Sequence, residues 1–353
     1  MKKSMSSKKW CLSVLISFVA LLLAVAISVI IIDPFLHYHA PTSGLSYPLK
    51  DERYINDGLS RHYSYEGIIT GSSTSQNFKA SQYEELFSVN TIKLTYPSAT
   101  YYEVAEGLKR AFSRNSNVKS VLWGLDLTRI NSGSHDESYE GLPKYLYDNN
   151  PFNDVSYLFN LDVLKKCINV INYTRSGQTT TSMDDYGAWY PWATYGREKV
   201  LNDLIDYSDY SEEYVLSDTD IAQITENVTE NILNLAQANP DVTFNIFFTP
   251  SSSVFWYGML RTKQLNAQID AEKLAASLLV NQKNIRLYGF ADRIDITANL
   301  DNYMDSLHYS PEISDKIIEM VKTSEGLLTP DNYDDYYESL REIYSNYEFD
   351  YEK

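Results

Sequence analysis

Short apolar runs alternate with amphipathic stretches along most of this chain. Runs with the length and character of buried strands lie at residues 66–70, 89–94, 118–125, 242–248 and 285–288. Helical spacing of apolar positions predicts helices over residues 81–87, 100–112, 221–235, 263–279 and 311–321. Strands and helices that alternate at these lengths are typical of right-handed βαβ units. The pattern therefore predicts an α/β fold built on a parallel sheet.

The N-terminal segment has a different pattern. Four lysines lie within the first nine residues, and an uncharged run follows from Trp10 to Ile32. At about 1.5 Å per residue this run covers a hydrocarbon core of about 30 Å. Ala24-Val25-Ala26 is similar to a signal-peptide cleavage site, but the apolar run continues beyond it, which favours an uncleaved anchor.

The lysines indicate the cytoplasmic side, so we expect a single-pass cell-membrane protein whose remainder lies outside the cytoplasm. Residues 1–32 are the predicted basic tail and transmembrane anchor, 33–59 a stalk, and 60–353 one extracytoplasmic domain. The stalk holds His37 and His39, for which packing beside the membrane is favoured over metal binding. The membrane lipid bilayer is thus the first predicted partner.

Regular periodicity fades between about residues 130 and 217, where aromatic residues accumulate around Trp189 and Trp192. A structureless segment of this length is uncommon unless it is functional. We interpret it as an insertion over the active face that lines a substrate groove. A hydrophobic cluster without a ligand is the alternative.

Charge and cysteine content exclude some classes of partner and site. The net charge is −17, from 30 basic and 47 acidic residues, which argues against nucleic acid as a partner. Cys11 and Cys167 form neither a disulfide framework nor a zinc motif. The sequence therefore predicts no metal site and no cofactor.

The first predicted strand ends in Gly71-Ser72-Ser73. A glycine there permits a sharp turn, and ligands of open α/β sheets bind at the carboxyl ends of the strands. Ser73 is therefore a candidate nucleophile. The alternative is an ordinary loop in which these serines cap a helix or bond the local backbone.

A serine nucleophile needs a base, and the base needs an orienting partner. Among the five histidines, His308 lies in the loop before the last predicted sheet-packing helix, which Ser310-Pro311 begins. Asp305, three residues earlier, can orient the imidazole. The alternative is that Asp305 and His308 form a capping loop.

Gly-x-Ser after the first strand, together with Asp-x-x-His before the last helix, resembles the SGNH/GDSL hydrolase superfamily. The Gly-Ser-Ser form and the N-terminal anchor look closest to DltD-type proteins, which move acyl groups on bacterial cell-wall polymers outside the cytoplasm. The resemblance implies a three-layer, flavodoxin-like fold with helices on both faces of the sheet. It also implies Ser73 as nucleophile, His308 as general base and Asp305 as the residue that orients it.

The same resemblance suggests the oxyanion-binding groups. Gly71 would permit the turn that exposes the Ser73 amide, and Ser98 stands where relatives have a glycine. Asp126 stands near the position of a donor asparagine, but an ionised aspartate cannot donate and would repel an oxyanion. A turn residue after a strand is the favoured interpretation of Asp126.

The expected function is a membrane-anchored serine esterase or O-acyltransferase that acts through an acyl-enzyme on Ser73. A cell-wall or surface polysaccharide is the expected substrate or acceptor, and Trp189 and Trp192 its expected contacts. A membrane-bound acyl donor protein is a partner by family analogy alone. The alternative function is a catalytically weak glycan-binding or scaffold protein of a cell-envelope acylation system.

Overall fold

The computed structural model describes residues 7–202, 204 and 212–351. Its helices, in chain order, are α1 (Ser7–Ile32), α2 (Glu52–His62), α3 (Ala80–Phe87), α4 (Tyr101–Arg114), α5 (Val155–Leu158), α6 (Leu161–Arg175), α7 (Arg197–Asn202), α8 (Asp218–Val228), α9 (Asn234–Ala238), α10 (Ser253–Arg261), α11 (Leu265–Leu279), α12 (Ile294–Thr297), α13 (Pro311–Thr323) and α14 (Tyr333–Asn346). Its strands are β1 (Gly67–Gly71), β2 (Thr91–Thr95), β3 (Ser120–Leu125), β4 (Thr243–Phe248), β5 (Ile285–Tyr288) and β6 (Leu327–Leu328).

The chain divides into two compact units. The first comprises Met1–His62 and Leu142–Thr181, and the second comprises Tyr63–Gly141 and Ser182–Lys353. Among the described residues, all six strands lie in the second unit.

The sheet has the order β2-β1-β3-β4-β5-β6. Strands β1 to β5 are parallel, and β6 pairs with β5 in the antiparallel sense. This order of the parallel strands is that of flavodoxin-like folds, so the predicted α/β fold is confirmed. The chain leaves β1 towards β2 and then crosses to β3, which makes the carboxyl end of β1 the switch point of the sheet.

Helices cover both faces of the sheet. On one face, Ile69, Leu122 and Phe247 share a core with Ile313 and Ile317 of α13. The alternate strand positions, such as Ile68 and Ile246, are fully buried on the other face, where α4, α8, α11 and α14 pack in succession. This alternation is the period-two pattern of strands buried on both sides.

The structure also contains elements that the apolar pattern did not predict. Helices α5, α6 and α7 occupy the stretch where periodicity fades, and α2 lies at the end of the predicted stalk. Helix α10 follows Pro250 and the serines after it, and Val254 and Trp256 give it a buried face. Ser252 stands at its N-cap position, but its hydroxyl donates to the Ser306 carbonyl. The predicted helix over 221–235 is interrupted by a π-helical turn at Thr229–Leu233.

In the first unit, α1 is long and apolar enough to cross a membrane. Its last three carbonyl oxygens all accept side-chain hydrogen bonds: Ile30 from His39 Nε2 at 2.7 Å, Ile31 from Thr42 at 2.8 Å and Ile32 from the Tyr47 hydroxyl at 2.7 Å. The side chains that follow the helix thus satisfy carbonyls that have no partner within it.

The turn after α1 is organised by Asp33, which is fully buried. Its carboxylate accepts hydrogen bonds from the amides of His37, Tyr38 and His39 and from the Tyr157 hydroxyl of α5. Both stalk histidines therefore take part in packing contacts, since His37 also bonds Asp154 through Nε2 at 3.2 Å.

Glu272 of α11 provides a test of the packing in the second unit. Its side chain is 1% exposed, and burial raises its pKa to about 8, although a hydrogen bond from Gln268 works in the opposite direction. The folded protein therefore holds a proton that the unfolded chain releases near its ordinary pKa of 4.5. Stability must fall as pH rises between these two values.

We expect Glu272→Gln to raise the melting temperature more at pH 8 than at pH 5, by an amount equivalent to a few kcal/mol at the higher pH. Glutamine keeps the acceptor for Gln268 and cannot ionise. Thermal melting of the full chain in detergent at both pH values measures this difference. An equal gain at the two pH values would contradict a buried, protonated Glu272.

Candidate active site

Gly71 determines the backbone path that presents Ser73. It ends β1 with a φ of +136°, a region that residues with a side chain rarely adopt. A Cβ atom there would lie 2.3 Å from Ser75 Oγ and 2.8 Å from the carbonyl oxygen of Gly124 in β3. Any other residue would therefore displace β3 or the short 3₁₀ turn Ser73–Ser75, in which Ser73 is half-buried.

His308 lies in a loop between the 3₁₀ turn Leu300–Asn302 and α13, and contacts within the loop hold its two ends together. Tyr303 and Tyr309 form an antiparallel bridge across the loop, and the Met304 amide donates to the His308 carbonyl at 2.9 Å. The buried Tyr303 hydroxyl donates to the carbonyl of Pro250, just past β4, at 2.7 Å. These contacts fix the loop to the carboxyl end of the sheet.

The structure brings the three predicted triad residues together. Ser73 Oγ lies 2.8 Å from His308 Nε2, and His308 Nδ1 lies 2.7 Å from Asp305 Oδ2. The second carboxylate oxygen of Asp305 accepts the backbone amides of Leu307 and His308, each at 2.8 Å. The carboxylate is thus held by its own loop in the position that orients the imidazole.

The charge state of Asp305 sets the tautomer of His308. Burial alone would raise the pKa of this carboxyl, but the hydrogen bonds from His308 and the loop amides lower it below its ordinary value. Ionised Asp305 can only accept, so Nδ1 of a neutral His308 carries the hydrogen. Nε2 then has a free lone pair for the Ser73 hydroxyl proton, which is the arrangement a general base requires.

Trp189 forms a wall of this group. Its indole Nε1 donates to the Ser73 carbonyl at 2.9 Å, and its ring stands perpendicular to the His308 ring with centroids 5.3 Å apart. Trp189 is 5% exposed, whereas Trp192, whose ring centroid lies 6.0 Å away, is 71% exposed. Trp189 therefore packs against the triad, and Trp192 presents an indole face to solvent.

Asp126 acts as a local cap in this structure. One carboxylate oxygen accepts the hydroxyl of Ser72 at 3.0 Å. The other accepts the amide and hydroxyl of Thr128, at 3.0 and 2.8 Å, at the start of the turn Leu127–Arg129. Both oxygens are thus engaged by donors. Ser72, which directly precedes Ser73, links the Leu127–Arg129 turn to the turn that carries the nucleophile.

Ser98 lies in the turn between β2 and α4. Its φ of +57° belongs to the left-handed region that favours glycine, and its side chain is exposed. The preceding Tyr96 amide donates to the Gly71 carbonyl at 2.9 Å, which ties this turn to the end of β1. Ser98 makes no hydrogen bond within the described part of the chain, and its oxyanion role stays a prediction.

Two residues at this site were not predicted from the sequence. Lys93 of β2 is fully buried, and its ammonium donates to the carbonyls of Gln76 and Asp184, each at 2.8 Å. Asn77 Oδ1 accepts the backbone amides of Trp189 and Tyr190, at 3.0 and 3.2 Å. The sequence did contain a signal for Lys93, since it is a lysine within an apolar strand. A buried ammonium must bind acceptors, so this position predicts a nearby group of hydrogen-bond acceptors.

No protein-family model and no curated protein matches the chain. A solved chain from Streptococcus pneumonia, described as a candidate platelet activating factor, is similar over 78% of this chain and 91% of its own length. The sequence identity is 10% and the TM-score is 0.38. The functional argument therefore depends on the geometry of the site itself.

Asn77→Ala tests how the segment bearing Trp189 is held. The substitution leaves the buried amide of Trp189 and the half-buried amide of Tyr190 without an acceptor, at a cost on the order of 1–3 kcal/mol. We expect faster hydrogen–deuterium exchange at residues 189 and 190, measured by peptide mass spectrometry. The exposed Asn117→Ala is the control and should leave exchange there unchanged. Equal protection in both variants would show that Asn77 does not hold this segment.

Proposed function

We propose that this chain is a membrane-anchored serine esterase or O-acyltransferase of the SGNH type, similar to DltD-type proteins, that acts on acyl groups of an extracytoplasmic glycopolymer. The observation that carries the proposal is the hydrogen-bond chain from the Ser73 hydroxyl through His308 to Asp305. Nucleophile, base and orienting carboxylate in this order are the arrangement that acyl transfer through serine requires.

In the proposed reaction, Ser73 Oγ attacks the carbonyl carbon of an ester while its proton moves to His308 Nε2. The tetrahedral intermediate collapses as the bond to the alcohol oxygen breaks, and His308 returns the proton to that oxygen. Asp305 stabilises the imidazolium formed between these steps. Water or a sugar hydroxyl, deprotonated by His308, then attacks the acyl-enzyme. The bond between the acyl carbon and Ser73 Oγ breaks, and His308 returns the proton to Ser73 Oγ.

The nature of the acceptor is inferred from the surroundings of the site. Indole faces bind the apolar faces of sugar rings, and Trp192 is an exposed indole next to the wall that Trp189 forms. The apolar helix α1 supports a location at a membrane. Both features favour a polymer at the cell surface as substrate or acceptor. A membrane-bound acyl donor protein is added to the proposal by analogy with DltD-type proteins alone.

The surroundings of Asp126 support a second candidate, a catalytically weak glycan-binding or scaffold protein. No amide side chain stands at position 126, and one missing oxyanion donor costs on the order of a hundredfold or more in rate. The esterase is favoured because Ser72 and Thr128 both donate to Asp126, which reduces the repulsion its carboxylate would exert on an oxyanion. The backbone amides of Ser73 and Ser98 are the predicted remaining donors.

Substitution of Ser73 separates the two candidates. The full chain in detergent should hydrolyse nitrophenyl acetate, and Ser73→Ala should lower kcat/KM by about 10³-fold or more, since the nucleophile is removed. Ser75→Ala is the matched control in the same turn. Its hydroxyl is buried without a hydrogen-bond partner in the described part of the chain, so its loss should leave the rate unchanged.

The outcomes differ clearly. Equal activity of wild type and Ser73→Ala would remove Ser73 from the mechanism. Absence of hydrolysis in both, together with measurable binding of cell-wall glycan by calorimetry, would favour the scaffold. Loss of activity in Ser75→Ala as well would mean that the turn, and not the Ser73 hydroxyl, had been disturbed.

A further inference from the structure

In the first unit, the final part of α1 is covered by protein. Positions 22, 25, 26, 29 and 32 are buried or half-buried, at helical spacing, whereas residues 7–21 are exposed. Helices α5 and α6 contact α1. Over residues 22–32, α1 extends about 15 Å, which is about half of a hydrocarbon core of about 30 Å.

This geometry places a constraint on α5 and α6. If the uncharged run from Trp10 to Ile32 fills the hydrocarbon core, residue 22 lies deep in one leaflet and Asp33 lies near its surface. The Tyr157 hydroxyl of α5 bonds Asp33 at 2.7 Å, so α5 meets α1 at this boundary. Helices that pack on residues 22–32 must then lie within or at the edge of that leaflet.

Several exposed side chains of this region are large and apolar. Five large apolar side chains of α5, α6 and their flanks are strongly exposed: Phe152 (88%), Leu161 (73%), Ile168 (58%), Val155 (57%) and Phe159 (44%). In water, such a cluster would be costly at about 25 cal/mol per Å² of apolar surface.

Helix α6 separates three kinds of side chain around its axis. Val163, Cys167 and Val170 are buried. Leu161 and Ile168 share an exposed stripe beside them, seven residues apart. Polar residues, among them Asp162, Lys165 and Asn169, occupy the remaining arc. A helix with one packed stripe, one exposed apolar stripe and one polar stripe fits the boundary between water, protein and lipid.

Charge is consistent with this location. Residues 142–181 carry four basic and three acidic side chains, whereas the whole chain has a net charge of −17. The segment is thus nearly neutral in a strongly acidic protein, which removes the repulsion that anionic lipid headgroups would exert on it.

We propose that residues 152–168 form a second membrane contact, in which the exposed apolar side chains of α5 and α6 insert into the outer part of the bilayer that α1 crosses. The occupant of this surface is the acyl-chain and headgroup boundary of the lipid. The contact fixes the orientation of the first unit on the membrane, which a single helix with a flexible connection would not do. This inference does not depend on the esterase proposal.

Site-directed spin labelling in liposomes tests the inference. A nitroxide is attached to Ile168→Cys or to Asn169→Cys in the full chain, after Cys11→Ser and Cys167→Ala remove the native thiols. The two positions are neighbours on α6, and both are exposed. Collision rates with oxygen, which concentrates in lipid, and with an aqueous nickel chelate report the surroundings of each label.

We expect the ratio of oxygen to nickel collisions at position 168 to exceed that at position 169 several-fold. Leu161→Cys should behave as position 168 and Asp162→Cys as position 169. Equal ratios at all four positions, each dominated by the nickel chelate, would overturn the inference and leave the surface in water. Low collision rates with both reagents at position 168 would also overturn it, because a second copy or another protein would then cover the surface.

Discussion

The whole site depends on the hydrogen bond between the Ser73 hydroxyl and His308 Nε2, which joins residues 235 positions apart in the chain. Parallel pairing of β1, β3, β4 and β5 brings all their carboxyl ends to one edge of the sheet. The turn after β1 and the loop before α13 therefore meet there. Gly71 lets the Ser73–Ser75 turn pack closely against β3, because Ser75 and Gly124 leave no room for a side chain at its Cα.

The residues around this hydrogen bond are positioned largely by side chains that donate to backbone carbonyls. The indole of Trp189 bonds the Ser73 carbonyl, and the Lys93 ammonium bridges the carbonyls of Gln76 and Asp184. Both contacts connect the turn that carries Ser73 to the segment from Asp184 to Trp189. A buried ammonium with hydrogen-bonded acceptors is costly to disturb, so this connection makes the wall of the site a fixed part of the sheet edge.

Much of this arrangement could be predicted from the sequence, for definite physical reasons. The five parallel strands are short apolar runs, and α4 begins with a capping box of Thr100 and Glu103, a local motif. Ser73, Asp305 and His308 could be named because each lies in a short local motif.

Other features could not be predicted because they depend on partners distant in the chain. The two amides that bond Asn77 lie more than a hundred positions away, and β6 is too short to leave a pattern. Helix α6 is a different case, because Leu161, Leu164, Ile168 and Ile171 do recur at helical spacing, and the prediction that periodicity fades there was wrong for this segment. Its apolar arc divides into a packed part and an exposed part. The same division of its surface underlies the proposed lipid contact.

The most direct test of the central claim is covalent modification of the full chain by a fluorophosphonate, followed by intact-mass and peptide mass spectrometry. An activated serine attacks phosphorus, displaces fluoride and retains one phosphonyl group, whereas an unactivated hydroxyl does not react. The account predicts a single adduct on the peptide that contains Ser73, preserved in Ser75→Ala and absent in Ser73→Ala. No adduct on wild type, or an adduct that persists in Ser73→Ala, would contradict it.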